Sequence, residues 1–237
     1  MKHLEELRNI FETLPIEKAL GKLASLFPGG VRFSSSLGQE DQVLTDIIAK
    51  NKIPIHIFTI DTGRLFNECY ETLEKTKARY KIQIDIFFPQ ADAVEQMVNQ
   101  HGINLFYESI ANRQKCCGIR KVEPLDRALQ GAKVWLTGLR ASQNEFRKKL
   151  PVVEWVQERK IYKINPLLYW SYDDVANYIR EFSVPYNPLH DQGFISIGCA
   201  PCTRAIELGE DPRAGRWWWE SSHKECGLHV HKSETLK

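Results

Sequence analysis

Residues 31–41 read Val-Arg-Phe-Ser-Ser-Ser-Leu-Gly-Gln-Glu-Asp, and this stretch decides the fold class that the sequence predicts. Its apolar start predicts a strand over residues 31–35, and the polar turn after it leads into a helix predicted over residues 41–49. Backbone N–H groups and hydroxyls at such a helix start suit a phosphate or sulfate group. An ordinary serine-rich cap fits the segment equally well, and a Walker loop is excluded because no Gly-Lys-Ser/Thr follows.

The alternation of strand and helix continues along most of the chain. Further strands are predicted over residues 53–60, 82–88, 133–137 and 161–164. Further helices are predicted over residues 4–14, 15–26, 65–80, 91–101, 122–129 and 171–182. Apolar strands that alternate with helices argue for a parallel, twisted sheet with helices on both faces, which is an α/β fold.

Polar turns follow three of the predicted strands. The residues in these turns are Ser34, Ser35, Ser36 and Gly38 after the first strand, Asp61, Thr62, Gly63 and Arg64 after the second, and Arg140 after the fourth. Ligands of open parallel sheets bind beyond the carboxyl ends of the strands. Each turn alone fits ordinary capping, but three turns on one sheet edge predict a nucleotide pocket.

The character of the sequence changes after about Pro185. Residues 186–237 are rich in Gly, Pro, Cys, Trp and charge, and their hydrophobic periodicity is weak. We therefore predict a nucleotide-binding α/β domain over residues 1–185, with N-terminal helices within residues 1–28. Residues 186–237 are predicted to form an irregular C-terminal segment that lies over this domain.

The composition narrows the class of protein. A net charge of +2 gives no general electrostatic reason for a nucleic-acid or membrane partner. No run of about eighteen apolar residues exists, so a transmembrane helix is not expected. The charged N-terminus lacks the apolar core of a signal peptide, and we therefore expect a cytoplasmic protein with reduced cysteines.

Four of the six cysteines fall in a pattern typical of a metal centre. Cys116 and Cys117 are adjacent, and Cys199-Ala-Pro-Cys202 can bind one centre from a single loop. Four thiolates are the number that zinc or a [4Fe-4S] cluster requires. Neighbouring side chains tend to diverge from a single zinc ion, so the adjacent pair favours the cluster. Cys69 lies on a predicted helix, and we interpret it as a buried structural thiol.

Cys226, near the C-terminus, stands outside this set of four. His223, Lys224 and His229 surround it in the sequence and favour a reactive thiolate. An exposed cysteine without a function is the alternative interpretation.

Five motifs together resemble the assimilatory adenylyl-sulfate reductases, which belong to the adenylyl-sulfate/phosphoadenylyl-sulfate (APS/PAPS) reductase family, in their iron–sulfur-cluster form. The motifs are Cys-Cys-Gly-Ile-Arg-Lys (116–121), Thr-Gly-Leu-Arg (137–140), Gly-Cys-Ala-Pro-Cys-Thr-Arg (198–204), Arg-Ala-Gly-Arg-Trp-Trp-Trp-Glu (213–220) and Lys-Glu-Cys-Gly-Leu-His (224–229). The resemblance covers essentially residues 30–230. It implies an adenine nucleotide α-hydrolase-like fold, which agrees with the predicted strands.

The resemblance also implies an activity, the thioredoxin-dependent reduction of adenylyl sulfate to sulfite and AMP. This reaction belongs to sulfate assimilation and cysteine biosynthesis. Cys226 matches the family's nucleophile, which displaces AMP and carries the sulfur as S-sulfocysteine until a thioredoxin thiol releases sulfite. A covalent intermediate of this kind divides one difficult displacement into two easier steps.

The family's other functional residues are matched position by position. The resemblance implies that Cys116, Cys117, Cys199 and Cys202 hold a [4Fe-4S] cluster whose role is electrostatic and structural. It implies that the substrate is contacted by Ser34, Ser35, Ser36, Gly38, Asp61, Thr62, Gly63, Arg64, Lys121, Arg140, Arg213, Arg216 and His229.

Two segments depart from the family's pattern. The loop reads Ser-Ser-Ser-Leu-Gly-Gln-Glu-Asp (34–41), and Gly-Leu-Arg140 continues as Ala-Ser-Gln-Asn-Glu. Both departures lie where a 3′-phosphate would be admitted or rejected, so a phosphoadenylyl-sulfate or dual-substrate reductase is the first alternative. An iron–sulfur ATP-dependent sulfur transferase and a zinc-stabilised binding protein are the others. A homo-oligomer is compatible with the sequence.

Overall fold

A computed structural model of the chain describes residues 3–220. Its strands are β1 Val31–Ser34, β2 His56–Ile60, β3 Asp85–Phe87, β4 Val134–Leu136, β5 Val153–Val156 and β6 Ile161–Ile164. Its α-helices are α1 Leu4–Thr13, α2 Ile16–Leu26, α3 Gln39–Lys50, α4 Asn67–Tyr80, α5 Ala91–His101, α6 Ile110–Cys117, α7 Glu123–Ala128 and α8 Tyr172–Phe182. Short 3₁₀ helices lie at Leu105–Tyr107, Ala141–Gln143, Arg147–Lys149, Pro188–Gln192 and Ala200–Cys202, and a π-helical turn lies at Gly118–Val122.

The strands form one sheet in the order β3-β2-β1-β4-β6-β5. β1 is parallel to β2 and to β4, and β4 is parallel to β6. β5 pairs antiparallel with β6. The α/β fold with a mainly parallel sheet is therefore confirmed, whereas β5 and its antiparallel pairing were not predicted.

The central strands are buried because helices cover the sheet, as expected for parallel strands. All three residues of β4 and all four of β6 are buried. Helix α3 follows β1 directly and is buried over nearly its whole circumference. This burial fixes the turn between β1 and α3 in position.

The described residues fall into two compact units, neither of which is a continuous stretch of chain. The first unit holds residues 3–59, 67–85 and 131–191, and the second holds residues 60–66, 86–130 and 192–220. The domain boundary expected at residues 185 and 186 stays a prediction. In the part of the chain that is described, no helix has the length and apolar character needed to cross a bilayer.

Candidate functional site

The serine turn after β1 lies in the first unit, and its hydroxyls are engaged within the chain. The backbone N–H and the hydroxyl of Ser36 both donate to Asp41 Oδ2, each at 2.6 Å. The Ser35 hydroxyl accepts from the backbone N–H of Leu37 at 3.2 Å. The Ser34 hydroxyl accepts from Trp135 Nε1 at 2.8 Å. The turn is thus shaped by partners from α3 and β4.

Asp41 is the buried carboxylate around which this turn folds. Burial raises its pKa to about 6, although hydrogen bonds from Ser36 act in the opposite direction. A Cβ atom on Gly138 would clash with the Asp41 carboxylate, so only glycine fits at that position. No role for Asp41 was predicted from the sequence. Its position in the first turn of α3 is the sequence signal that could have indicated one.

Arg140 extends from the turn after β4 and is only 5% exposed. Its Nε donates to Glu40 Oε1 at 2.8 Å, and its Nη1 donates to Ser142 Oγ at 2.6 Å. Gln143 Nε2 donates to the same Glu40 oxygen at 3.0 Å. The guanidinium therefore lies against the first turn of α3, with its charge balanced by Glu40.

The four cysteines of the predicted metal centre line one pocket in the second unit. Cys116 and Cys117 end helix α6, which Ser109 caps by accepting from the backbone N–H of Asn112. Cys199 directly precedes the short helix Ala200–Cys202, and Cys202 is the last residue of that helix. The pocket is also lined by Arg64, Phe106, Arg113, Arg120, Lys121, Pro201 and Trp217. The thiols thus lie beside several cations and three apolar side chains.

The cysteine thiols respond differently to this environment. Burial is the main reason that the pKa of Cys116 is raised, and it raises the pKa of Cys202 to about 12. Burial also acts to raise the pKa of Cys199, but Lys121, the Thr62 hydroxyl and Arg216 outweigh it, so that pKa is lowered. Lys121 and Arg216 therefore stabilise negative charge in the pocket.

The chemistry of the pocket fits an iron–sulfur cluster. Four thiols are present, and two buried N–H donors that line the pocket, Arg120 Nε and Trp217 Nε1, have no hydrogen-bond acceptor among the described residues. Buried donors of this kind normally have an acceptor, and an anionic group would supply one. Within residues 3–220, however, no three or more Cys, His, Asp or Glu side chains are placed so that together they could hold a metal ion.

The turn after β2 belongs to this cysteine pocket. Asp61 Oδ1 accepts from the backbone N–H of Gly63 at 2.7 Å, and Gly63 has a φ of 71°, which favours glycine. The Thr62 hydroxyl lies 3.3 Å from Cys199 Sγ. Arg64 Nη1 donates to the carbonyl of Ile103 at 2.7 Å. These residues were predicted to contact a nucleotide, and the structure places them against the cysteine-bearing loops.

Three guanidinium groups surround the indole of Trp217, which is 1% exposed. Their carbon atoms lie 4.6 Å from the ring centroid for Arg113, 4.7 Å for Arg216 and 6.0 Å for Arg213. Cations over an aromatic face are attracted to it, most strongly where water is excluded. Arg216 also lies so close to Gly198 that a side chain there would clash with its guanidinium.

Glu220 forms a buried ion pair that the sequence did not reveal. Its carboxylate accepts from Arg113 Nε at 2.8 Å and from Arg113 Nη2 at 2.9 Å. The two side chains are 3% and 4% exposed. Glu220 ends the tryptophan motif, and Arg113 lies one turn before Cys116. The pair therefore joins the motif to the cysteine-bearing helix.

The predicted site residues fall into three sets. Ser34, Ser35, Ser36, Gly38 and Arg140 lie in the first unit. The second unit brings together Asp61, Thr62, Gly63, Arg64, Lys121, Arg213, Arg216 and the cysteines Cys116, Cys117, Cys199 and Cys202. Cys226 and His229 lie outside the described residues. Cys69 is buried in the first unit, as predicted, and its thiol accepts from Asn187 Nδ2 at 3.3 Å.

Comparison with known proteins identifies the family. The sequence-family model of the phosphoadenosine phosphosulfate reductase domain matches residues 30–205 of the chain. The chain belongs to this family. An adenosine 5'-phosphosulfate reductase from Allochromatium vinosum is 54% identical to this member over 198 residues, which are 83% of this chain and 77% of that protein. One from Burkholderia cepacia is 51% identical over 201 residues, 84% of this chain and 80% of that protein.

Solved structures agree with this assignment to the phosphoadenosine phosphosulfate reductase family. A phosphoadenylyl-sulfate reductase from Candida auris, solved as a phosphate complex, has a TM-score of 0.73 and 31% identity, and covers 87% of this chain and 97% of its own. An FMN adenylyltransferase from Candida glabrata has a TM-score of 0.55 at 17% identity, covering 98% of this chain and 78% of its own, and shares the fold alone. The adenine nucleotide α-hydrolase-like fold is confirmed.

Proposed function

We propose that this family member reduces adenosine 5'-phosphosulfate (adenylyl sulfate) to sulfite and AMP, as a step of sulfate assimilation. The observation that carries the proposal is the cysteine pocket, in which four thiols lie with Lys121 and several arginines. The relatives named adenosine 5'-phosphosulfate reductase, at about half identity, support the same reaction.

In the first step, the thiolate of Cys226 attacks the sulfur atom of the sulfate group. An S–S bond forms, the bond from sulfur to the bridging oxygen breaks, and AMP leaves with the electron pair of that bond. The enzyme then carries Cys–S–SO₃⁻. Negative charge builds up on the phosphate as AMP leaves, and the cations Lys121, Arg213 and Arg216 are the residues proposed to stabilise it.

In the second step, a dithiol protein of the thioredoxin type releases sulfite. One of its thiols attacks the Cys226 sulfur, sulfite leaves, and the second thiol closes the disulfide and frees Cys226 as a thiol. Over the two steps together the dithiol loses two electrons and the sulfur atom of the sulfate group gains them, so no other oxidant or reductant is needed. The tail that carries Cys226 thus has to react with both a nucleotide and a protein.

The four cysteines of the pocket are proposed to hold a [4Fe-4S] cluster. Such a cluster would supply fixed charge and structural support near the reacting sulfate, because the electrons come from thiols. Arg120 Nε and Trp217 Nε1, which are buried and have no acceptor within residues 3–220, support the proposal as donors toward an anionic group. Hydrogen bonds from N–H groups to sulfur stabilise the anionic form of such centres.

The serine turn of the first unit is proposed to bind the nucleotide's phosphate end. This turn leads into the start of α3, and the backbone N–H groups at a helix start bind anions favourably. Arg140, from the turn after β4, is the cation proposed to act beside this turn. Asp41 holds Ser36 in place, so its role is to position the turn.

The test is sulfite release from purified protein supplied with a bacterial thioredoxin, with adenosine 5'-phosphosulfate and its 3'-phosphorylated form in parallel reactions. We expect sulfite from the first substrate, none from the Cys226→Ser variant, and undiminished sulfite from a Cys69→Ala control. Absence of sulfite with both substrates would overturn the proposal. Preference for the 3'-phosphorylated substrate would instead make the chain a phosphoadenylyl-sulfate reductase, as the Candida auris relative is named.

A further inference from the structure

Two exposed aromatic rings form a surface in the second unit that the proposed chemistry does not use. Tyr107 is 43% exposed and Trp218 is 40% exposed. Their ring centroids lie 6.4 Å apart in an edge-on arrangement. Trp219 packs 4.5 Å from Tyr107 and 4.8 Å from Trp218. We call this surface, made of Tyr107 and Trp218 over Trp219, the aromatic platform.

The aromatic platform is held rigidly from below. The Tyr107 hydroxyl donates to the carbonyl of Pro201 at 2.7 Å. Phe106, which is 1% exposed, lies 4.6 Å from Tyr107. On the other side, the buried Arg113–Glu220 pair fixes the residue that follows the tryptophans. The rings are therefore exposed while fixed in place, and binding a partner would cost little side-chain entropy.

The position of the platform relates it to the reactive cysteine through the length of the chain. Trp218 lies two residues before Glu220, where the described chain ends, and Cys226 lies six residues beyond Glu220. Six extended residues span at most about 20 Å. A protein that attacks a sulfur atom on Cys226 must therefore touch the enzyme within about this distance of Glu220.

The composition of the platform fits a protein partner. Tryptophan and tyrosine dominate the residues that contribute most to protein–protein binding, and they do so from rigid, apolar positions near the centre of the contact. A small-molecule thiol could reach Cys226 without any such surface. The nearby polar atoms Pro201 O and Glu220 Oε are already hydrogen-bonded, so the contact offered is mainly apolar.

We propose that the aromatic platform is the docking surface for the dithiol protein that reduces the Cys226 intermediate. This inference rests on the proposed function, because it names the place where that function meets its reductant. The occupant is a small protein whose reactive dithiol is surrounded by apolar surface, since only an apolar face would bury the two rings favourably.

The test compares two reductants on the same enzyme, a bacterial thioredoxin and dithiothreitol. In Trp218→Ala we expect the KM for thioredoxin to rise at least about ten-fold, which corresponds to a modest interface residue. The rate with dithiothreitol should stay within about two-fold of the wild type, because a small thiol does not use the platform. Trp218→Phe keeps an aromatic ring and should recover most of the thioredoxin affinity.

Tyr169→Ala is the matched control, because Tyr169 is 78% exposed but lies in the first unit. It should leave both reductants unaffected. An unchanged KM for thioredoxin in Trp218→Ala would overturn the inference. Equal losses with both reductants would also overturn it, because Trp218 would then act on the reaction itself.

Two further outcomes are distinguishable. A wild-type dimer that Trp218→Ala converts to a monomer, measured by light scattering, would assign the platform to a second copy of this chain. Wild-type enzyme that releases no sulfite with either reductant would remove the proposed function, and the docking inference with it.

Discussion

Removal of the Glu220 carboxylate should destabilise the protein more than removal of an exposed charge. In Glu220→Ala the guanidinium of Arg113 stays buried beside Trp217 without its bidentate partner. Breaking a buried ion pair from one side typically costs about 3–5 kcal/mol, because the remaining charge is desolvated and uncompensated. For a chain of this size, that corresponds to a fall in Tm of roughly 6–20 °C.

The double variant Arg113→Met/Glu220→Leu separates the ion pair from the packing. Replacing both partners by apolar residues leaves no buried charge without a counter-charge, and methionine can keep a contact with the Trp217 ring. We therefore expect the double variant to recover most of the Tm that Glu220→Ala loses. The two single variants and the double variant together give the coupling energy of the pair.

The assay is thermal unfolding followed by circular dichroism, with the iron content of each preparation measured beside it. Glu5→Ala is the matched control, because the Arg8–Glu5 pair is 40% and 83% exposed and such pairs contribute about 0–1 kcal/mol. A Tm of Glu220→Ala within about 2 °C of the wild type would refute the reasoning. So would a double variant that is less stable than Glu220→Ala.

Four further predictions concern the site. Gly138→Ala should weaken nucleotide binding, measured by calorimetry in the Cys226→Ser background, because the added methyl group meets the Asp41 carboxylate; unchanged affinity would contradict this. Burial raises the pKa of Asp41 from 3.8 to about 6, so the folded protein binds this proton more tightly than the unfolded chain does. The free energy of unfolding of the wild type should therefore fall by roughly 3 kcal/mol as the pH rises from below 3.8 to above about 6. The unfolding free energy of Asp41→Asn relative to wild type, from urea titrations, should therefore increase between pH 4 and about 7, and a flat difference would argue against the shift. Cys199→Ser should lower the iron content and bleach the visible absorbance of the protein, while Cys69→Ala should leave both unchanged. In Cys226→Ser, mass spectrometry after incubation with adenosine 5'-phosphosulfate should show no added sulfonate, and a modified variant would place the nucleophile elsewhere.

The parallel core of the fold could be predicted from the sequence because its signals are local. The strand over residues 31–35 and the helix after it are found as β1 Val31–Ser34 and α3 Gln39–Lys50. β5 Val153–Val156 was missed because it is short and only its two ends are buried. β5 is stabilised by its pairing with β6, and the sequence of the β5 segment by itself does not show this pairing.

Helix α6 was missed for a different physical reason. Its sequence, Ile-Ala-Asn-Arg-Gln-Lys-Cys-Cys, has no apolar periodicity, and its buried residues are Arg113, Cys116 and Cys117. A helix that buries an arginine and two thiols becomes recognisable only when the partners of those groups are known. Glu220 is one of them, and it lies 107 residues further along the chain.

The candidate site was predictable at the level of motifs and not at the level of hydrogen bonds. The cysteine spacing indicated four thiols in one pocket, and the structure brings them together. The serine turn was recognised as polar, but the partners of its hydroxyls, Asp41 and Trp135, were not. Which atom a hydroxyl selects depends on the packing of several elements, and a motif does not encode that choice.

The discontinuous second unit has a consequence for the order in which the protein is made. Cys116 and Cys117 leave the ribosome long before Cys199, Cys202 and Trp217, yet all of them line one pocket. Nascent chains gain structure as they emerge, so the first two thiols stay in an incomplete pocket until residues 199–217 have been made. Loading of a cluster would thus have to follow the synthesis of residues 199–217, and a chain truncated before residue 199 could not retain one.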